Sequence, residues 1–218
     1  RNPRTAHWPT VTGEVSRRAN LVLIIVSLAV LFGAASRLNP LALKLFPAAV
    51  VIVLAYSYTK RFTWACHLFL GLAQSLAPMG GWVAVTGTLE TPAVLLGIAA
   101  GSWVAGFDII YACQDVEFDR REGLHSIPAR FGVAAGLRLA RTLHLVTVAA
   151  LVLAAPAAGL GWIYLLGVAV AAGLLVFEHS LVSPRDLSMA PVAFFKVNAV
   201  VSVTIMIAVM ASLLIGID

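Results

Sequence analysis

Apolar residues fill most of this chain in long runs, and short polar segments separate the runs. Seven such runs, each of about 20 largely apolar residues, are long enough to cross the hydrocarbon layer of a bilayer as α-helices. The pattern therefore predicts an all-α, multi-pass transmembrane bundle that forms a single domain over residues 1–218, without repeats or long linkers. The predicted spans are 19–36, 41–58, 66–87, 92–112, 136–156, 158–178 and 191–215.

Composition supports membrane insertion and indicates an orientation. Of the 218 residues, 61% are hydrophobic and 11% are charged, and the mean hydropathy is +0.95, which is more apolar surface than a soluble domain of this size buries. Lys and Arg lie almost wholly on one side of the predicted spans, and only Arg37 and Lys44 fall near the other. The positive-inside rule makes the basic side cytoplasmic. The net charge of +5 thus indicates attraction to anionic head groups rather than nucleic-acid binding.

Three aspartates, Asp108, Asp115 and Asp119, follow one another at spacings of seven and four where the fourth run ends. At roughly 100° per residue, an α-helix brings them onto one face. Carboxylates stacked in this way repel unless a cation lies between them, and hard oxygen ligands suit Mg²⁺ with a phosphorylated substrate. The alternative is a solvated helix end that pairs with Arg120 and Arg121. Against it, Asp108 lies near the hydrocarbon boundary, where an ionised carboxylate is costly.

Other polar residues on the same side are candidates for the same chemistry. Lys60 ends the second span and could supply positive charge to a departing pyrophosphate, although interfacial snorkelling also explains it. Ser126 lies in a Gly-containing turn that could fold over a phosphate or simply connect two helices. Asn198 in the last span fits an interhelical hydrogen bond or a substrate contact. Glu117 is predicted to point away from the aspartates.

Two further features are interpreted structurally. Pro78, Gly80 and Gly81 interrupt the third span and predict a kink or a close approach of helices. The histidines, His67 among them, lack the spacing of metal ligands, so we interpret them as packed or interfacial residues and not as a zinc site.

The acidic segment resembles a motif of the UbiA-type intramembrane aromatic prenyltransferases. That family's second aspartate-rich motif has the form D-x-x-Y-A-x-x-D-x-x-x-D, followed by G-x-x-S. The Lys60-Arg61 pair and Asn198 also fall where the family has such residues, and the resemblance covers nearly the whole chain. The matching residues, in order, are Asp108, Tyr111, Ala112, Asp115, Asp119, Gly123 and Ser126.

The beginning of the chain resembles the same family. Residues Arg4-Thr5-Ala6-His7-Trp8-Pro9 are similar to a loop of the form R-T-x-x-R-P, which in the family follows a first motif resembling N-D-x-x-D-x-x-x-D. Trp8 stands where the family has its second Arg, which leaves Arg4 as the candidate ligand of this loop. The first motif and the first two of the family's nine helices would precede Arg1, so we expect seven of nine helices here.

The resemblance implies Mg²⁺-dependent transfer of a polyprenyl group from an allylic diphosphate to an aromatic acceptor such as 4-hydroxybenzoate, in ubiquinone or menaquinone biosynthesis. It implies a bacterial inner membrane, with the active site on the cytoplasmic side and the polyprenyl tail inside the bundle. Asp115 and Asp119 would hold Mg²⁺, and Lys60 would bind the diphosphate. Asp108 would be a metal-side ligand or a group that orients the acceptor. The remaining substrate contacts would come from Arg4, Tyr111, Ser126 and Asn198.

Three alternatives remain beside this interpretation. The CDP-alcohol phosphotransferases also use membrane aspartates with Mg²⁺, but their D-G-x-x-A-R pattern is absent ahead of Asp115. A transporter or lipid-binding bundle with a polar cytoplasmic cavity would need neither an allylic diphosphate nor a metal. A piece that lacks the first aspartate-rich motif could also be inactive although its parent is an enzyme.

Overall fold

A computed structural model of the chain describes residues 6–215. Seven helical segments in that range are long and apolar enough to cross a membrane, which confirms the predicted number and the all-α fold. The helices that form these segments are α2 (Arg17–Ala35), α3 (Pro40–Thr59), α4 (Cys66–Thr86), α5 (Thr91–Ala112), α8 (Val133–Ala157), α9 (Trp162–Ser180) and α11 (Asn198–Ile215). The shorter helices are α1 (Pro9–Thr12), α6 (Val116–Arg121), α7 (Ile127–Phe131) and α10 (Ala190–Val192).

Polar side chains fix the starts of the first two spans. Ser16 caps α2, because its hydroxyl accepts a hydrogen bond from the backbone N–H of Ala19. Asn39 caps α3 in the same way, and its Nδ2 also donates to the carbonyl oxygen of Val83 at 2.7 Å. One asparagine therefore sets where α3 begins and ties that end to the last turn of α4.

Glycine allows α4 and α5 to pack in direct backbone contact. A Cβ atom added at Gly71 would lie 2.4 Å from the carbonyl oxygen of Gly101, so no larger residue fits at this crossing. Of the two alternatives predicted for Gly80 and Gly81, a kink or a close approach of helices, the close approach was wrong, since a Cβ at either position would meet nothing within 4 Å. Pro78 lies inside α4, which continues past it to Thr86.

The segment that carries the aspartates is not one uninterrupted α-helix. A 3₁₀ turn, Cys113–Asp115, separates α5 from α6. Because a 3₁₀ helix has three residues per turn, the rotation of 100° per residue does not apply across this stretch. The prediction that a single α-helix carries all three aspartates was therefore wrong, and Asp119 lies on a separate short helix beyond the turn.

The last membrane segment also contains an irregular turn. A π-helical turn, Ala193–Val197, joins α10 to α11. π-Turns inside helices frequently occur at functional sites, because the extra residue widens the helix and shifts side chains to new directions. Here the turn carries Phe194 and Phe195 toward Tyr111 on α5.

Candidate functional site

Lys60 and Asp119 meet at one end of the bundle. Lys60 follows the last residue of α3, and its Nζ lies 2.8 Å from Oδ1 of Asp119 on α6. The side chain of Asp119 is 0% exposed, whereas that of Lys60 is 35% exposed. A buried carboxylate is costly without a compensating charge, and the ammonium group of Lys60 provides that charge next to Asp119.

The other carboxylate oxygen of Asp119 has no such partner. Oδ2 is buried and makes no hydrogen bond within residues 6–215, and the contact of Oδ1 with Lys60 is an ion pair without hydrogen-bond geometry. Buried polar atoms in proteins are nearly always bonded, so an orphaned carboxylate oxygen indicates a position where a cation or donor fits. Asp115, on the preceding turn, is buried as well.

The residues present fit part of a magnesium site. Mg²⁺ is usually held by one or two carboxylates together with waters and substrate phosphates, and Asp115 with the orphaned oxygen of Asp119 matches that donor set. Over residues 6–215, no group of three or more His, Cys, Asp and Glu side chains is placed to hold a metal by itself. These carboxylates would therefore need further oxygen ligands from elsewhere.

Asp108 has a histidine partner that sequence reasoning missed. His67, at the start of α4, places Nδ1 2.6 Å from Oδ2 of Asp108. The histidine side chain is 3% exposed and that of Asp108 is 27% exposed, so the pair lies at the boundary of the interior. Lack of metal-ligand spacing made His67 look like a packing residue. No sequence signal predicted this contact, because the two residues lie 41 positions apart.

A series of aromatic rings leads from the aspartates into the bundle. We call these five residues the aromatic wall: Trp103, Phe107, Tyr111, Phe194 and Phe195. The rings of Tyr111 and Phe194 are stacked, with centroids 4.2 Å apart and planes at 28°. Phe107 contacts Phe194 edge-on at 5.2 Å and Trp103 at 5.4 Å. The wall thus joins one face of α5 to the π-turn.

An apolar cavity of about 230 Å³ begins at the inner end of the aromatic wall. Trp103 lies at its edge, and small residues such as Ala99 and Ala100 leave space beside the ring. The other helices that line the cavity are α4, α8, α9 and α11, so it lies within the bundle.

The loop after α6 ties the site together. The backbone N–H of Leu124 donates to the carbonyl oxygen of Asp119, and that of His125 donates to the carbonyl oxygen of Lys60, each at 2.8 Å. Gly123 permits this path because its φ is +66°, in the left-handed region that glycine adopts without strain. Ser126 is 0% exposed, and its hydroxyl accepts from the N–H of Ala129 as the cap of α7.

The side chain of Asn198 is engaged by other protein groups. Its Oδ1 accepts from Nε1 of Trp103 at 2.7 Å, and its Nδ2 donates to Oε1 of Glu178 at 2.9 Å. Direct substrate contact by Asn198 stays a prediction, as does that by Ser126. Arg4 lies outside the described residues.

Comparison with known proteins agrees with this architecture. Residues 1–200 match the model of the UbiA prenyltransferase family. The chain is 30% identical over 195 residues to a 4-hydroxybenzoate octaprenyltransferase of Shewanella woodyi, and the match covers 89% of this chain and 68% of that one. The corresponding enzyme of Alkalilimnicola ehrlichii is 35% identical over 182 residues, which cover 84% of this chain and 62% of the relative. The chain therefore spans about two thirds of these relatives' length.

Two solved structures share the fold. The apo structure of a UbiA homolog from Aeropyrum pernix K1 has a TM-score of 0.88 and 33% identity, and covers 97% of this chain and 78% of that one. A structure of digeranylgeranylglyceryl phosphate synthase has a TM-score of 0.74 at 18% identity, covers 96% of this chain and 75% of that one, and supports the fold alone. The chain belongs to the UbiA prenyltransferase family.

Proposed function

We propose that the protein transfers a polyprenyl group from an allylic diphosphate to an aromatic acceptor such as 4-hydroxybenzoate, with Mg²⁺ bound, in quinone biosynthesis. The observation that carries this proposal is the buried Asp119, with Lys60 on one oxygen and the other oxygen orphaned, beside an aromatic wall. Family membership and relatives named 4-hydroxybenzoate octaprenyltransferase support the same reaction.

The diphosphate end of the donor would lie at the acidic end of the bundle. Asp115 and Asp119 would hold Mg²⁺, which supplies positive charge to the diphosphate. Lys60, already next to Asp119, would neutralise negative charge that develops on the leaving diphosphate. Arg4 would contribute a further positive charge at the diphosphate. Ser126 would contact the diphosphate from the end of the loop that precedes α7. Substrate binding would thus separate charges that pair in the free protein.

The aromatic acceptor would lie beside Asp108. His67 fixes the carboxylate of Asp108 through its Nδ1, so Asp108 presents a constant direction to the acceptor. Of the two roles considered for Asp108, this contact favours orientation of the acceptor over metal binding. The hydrogen bond from His67 leaves Oδ1 of Asp108 available to the acceptor, and over residues 6–215 Asp108 does not form a metal-holding group with Asp115 and Asp119.

The isoprenoid tail would run along the aromatic wall into the apolar cavity. When the C–O bond of the donor breaks, the electron pair leaves with the diphosphate and the allylic carbon becomes electron-deficient. The stacked rings of Tyr111 and Phe194 present π-faces that stabilise such a carbon. The apolar walls keep water away until a ring carbon of the acceptor attacks and loses its proton. We therefore assign Tyr111 to binding of the allylic group of the donor.

The membrane placement follows from charge. The protein is an integral membrane protein, since residues 6–215 contain seven helical segments long and apolar enough to cross a membrane, and its basic loops share the side of the aspartates. We assign that side to the cytoplasm of a bacterial inner membrane. Water-soluble diphosphate could then leave into the cytoplasm while the prenyl product stays in the bilayer.

A membrane assay tests the proposal. The protein, expressed from its complete gene, is supplied with a polyprenyl diphosphate, 4-hydroxybenzoate and Mg²⁺, beside a Mg²⁺-free sample and an Asp115→Ala variant. Prenylated acceptor that disappears in both controls is the expected result. Absence of product with every aromatic acceptor tried, from folded and inserted protein, would favour a transporter or lipid-binding bundle.

A further inference from the structure

Glu178 is a buried carboxylate in the last turn of a membrane helix. It lies near the end of α9 and is 0% exposed. Its Oε1 accepts from Nδ2 of Asn198 at 2.9 Å, and its Oε2 lies 3.6 Å from Nδ1 of His144. Ionisable residues inside membrane segments are costly and tend to be functional, yet the reaction proposed above makes no use of this one.

Asn198 also forms hydrogen bonds with the π-turn. Its Nδ2 carries two hydrogens; besides the bond to Glu178, the amide shares a bifurcated hydrogen bond between the carbonyl oxygens of Ala193 at 3.0 Å and Phe194 at 3.2 Å. A π-turn disturbs the regular ladder of backbone hydrogen bonds, and a side-chain donor that satisfies its carbonyls favours the turn over a regular helix. The asparagine thus stabilises the irregular backbone from which Phe194 projects.

The same asparagine also holds the inner end of the aromatic wall. Its Oδ1 accepts from Nε1 of Trp103 at 2.7 Å, and the backbone carbonyl of Trp103 lies 3.3 Å from Nε2 of His144. Since a carbonyl only accepts, His144 donates through Nε2 and can accept at Nδ1, which lies 3.0 Å from Nε2 of His179. Trp103 is therefore fixed through both its side chain and its backbone.

We infer that Glu178 and Asn198 are positioning residues that set the aromatic wall against the allylic group of the donor. This inference rests on the proposed function. Glu178 orients the amide of Asn198, and the amide then fixes the backbone of Phe194 and the ring of Trp103. Without this network the π-turn relaxes and Phe194 moves from its stack on Tyr111. Water then reaches the allylic carbon and forms a free polyprenol, with loss of a proton from the water, in place of the prenylated acceptor.

The test compares the partition of products among variants of the protein expressed from its complete gene. Glu178→Leu and Asn198→Leu remove the network, whereas Glu178→Gln keeps an acceptor for the Asn198 amide. Tyr164→Phe is the matched control, because it removes a buried hydrogen bond from the same helix, to the carbonyl of Leu151, outside the network. Polyprenol formed in membranes without the protein is subtracted, so that the remaining ratio of polyprenol to prenylated acceptor does not depend on how much protein is folded and destabilisation alone does not change it.

We expect both leucine variants to raise that ratio at least about tenfold, and Glu178→Gln and Tyr164→Phe to leave it within about twofold of the parent. Amide hydrogen exchange over residues 190–198 should accelerate in the two leucine variants alone. An unchanged ratio would overturn the inference, and so would a raised ratio without faster exchange, since the residues would then act other than through the π-turn. If the parent makes neither product, the proposed function fails, while unchanged exchange would separately overturn the positioning role.

Discussion

The ammonium group of Lys60 lies 2.8 Å from Oδ1 of Asp119 and joins the end of α3 to α6 across the candidate site. The pair is asymmetric, because the carboxylate is wholly buried while the lysine is partly exposed. The lysine therefore has two separable roles: it compensates a buried charge in the free protein, and it is available to a diphosphate in the complex.

Replacing Lys60 by Gln should affect both roles. The variant leaves Asp119 without a cation, which we expect to cost about 2 kcal/mol of stability, below the range for a fully buried pair because Lys60 is partly exposed. Turnover should fall roughly 100-fold through loss of charge stabilisation at the leaving group. Thermal unfolding in detergent and the prenyltransfer assay measure the two effects.

A second substitution separates the loss of stability from the loss of turnover. Lys60→Gln combined with Asp119→Asn should recover most of the lost stability, because no uncompensated charge remains, but no activity. Arg61→Gln is the matched control, since its guanidinium is an exposed neighbouring cation that lies over the ring of Tyr58. A similar loss of turnover in Arg61→Gln would contradict a specific role for Lys60.

Removal of Mg²⁺ should mimic loss of the aspartates. Chelation with EDTA should abolish turnover, and Asp115→Asn and Asp119→Asn should each lower it roughly 100-fold or more, since each removes a ligand charge from the cation. Glu117→Gln serves as the control, because Glu117 lies on the same segment but is exposed. Steady-state rates over a Mg²⁺ titration check this prediction. Full activity of Asp119→Asn at ordinary Mg²⁺ would refute the metal assignment.

The number of spans could be predicted from the sequence, because a bilayer imposes one length on every helix that crosses it. Helix ends were also readable near residues such as Asn39 and Pro40, whose chemistry is local. Within the site, the motif spacing and the charge of Lys60 singled out the acidic end of the bundle.

Contacts between helices could not be predicted in the same way. The hydrogen bond from His67 to Asp108 depends on how α4 packs on α5, and apolar runs contain no information on helix rotation. Gly71 and Gly80 lie in the same apolar run, so the sequence alone does not distinguish them. In the structure Gly71 packs against the backbone of Gly101, whereas Gly80 faces open space. Glu178 did carry a readable signal, as a lone carboxylate at the end of an apolar run, but its partners lie on other helices.

The role of His67 can be tested by graded replacement. His67→Leu removes the hydrogen bond that fixes Asp108, and we expect kcat/KM for the acceptor to fall about 10-fold, in keeping with the value of one hydrogen bond to a charged group. The KM for the allylic diphosphate should stay near that of the parent. Steady-state kinetics with each substrate varied in turn distinguish an effect on the acceptor from an effect on the allylic diphosphate.

Two companion variants sharpen that measurement. His67→Gln keeps a donor toward Asp108 and should restore most of the acceptor kinetics. Ser75→Ala removes a hydroxyl from the same helix, where within residues 6–215 it bonds only to the backbone carbonyl of Leu72, and should change neither substrate's KM. A larger effect of His67→Leu on the diphosphate than on the acceptor would place Asp108 with the metal instead.

The crossing of α4 and α5 predicts opposite effects for two glycines on one helix. Gly71→Ala forces a Cβ against the carbonyl of Gly101 and should destabilise the protein by about 1–3 kcal/mol. Gly80→Ala adds a methyl group to open space within a helix and should stabilise it by about 0.5–1 kcal/mol. Thermal unfolding in detergent compares them, and equal shifts of the two would contradict the packing described here.

The apolar cavity predicts how the protein selects the length of the donor. Ala100 lines the cavity and is only partly buried, so Ala100→Phe places a ring inside it without overpacking a closed site. Long polyprenyl diphosphates should then lose roughly 10-fold or more in kcat/KM, while geranyl diphosphate, which does not extend past the aromatic wall, loses little. Ala172→Phe is the matched control, because Ala172 lines a separate groove between α8 and α9. If Ala100→Phe lowers kcat/KM equally for long and short donors, as Ala172→Phe would, the tail does not occupy this cavity. A ring that fills the tail site must weaken long donors more than short ones.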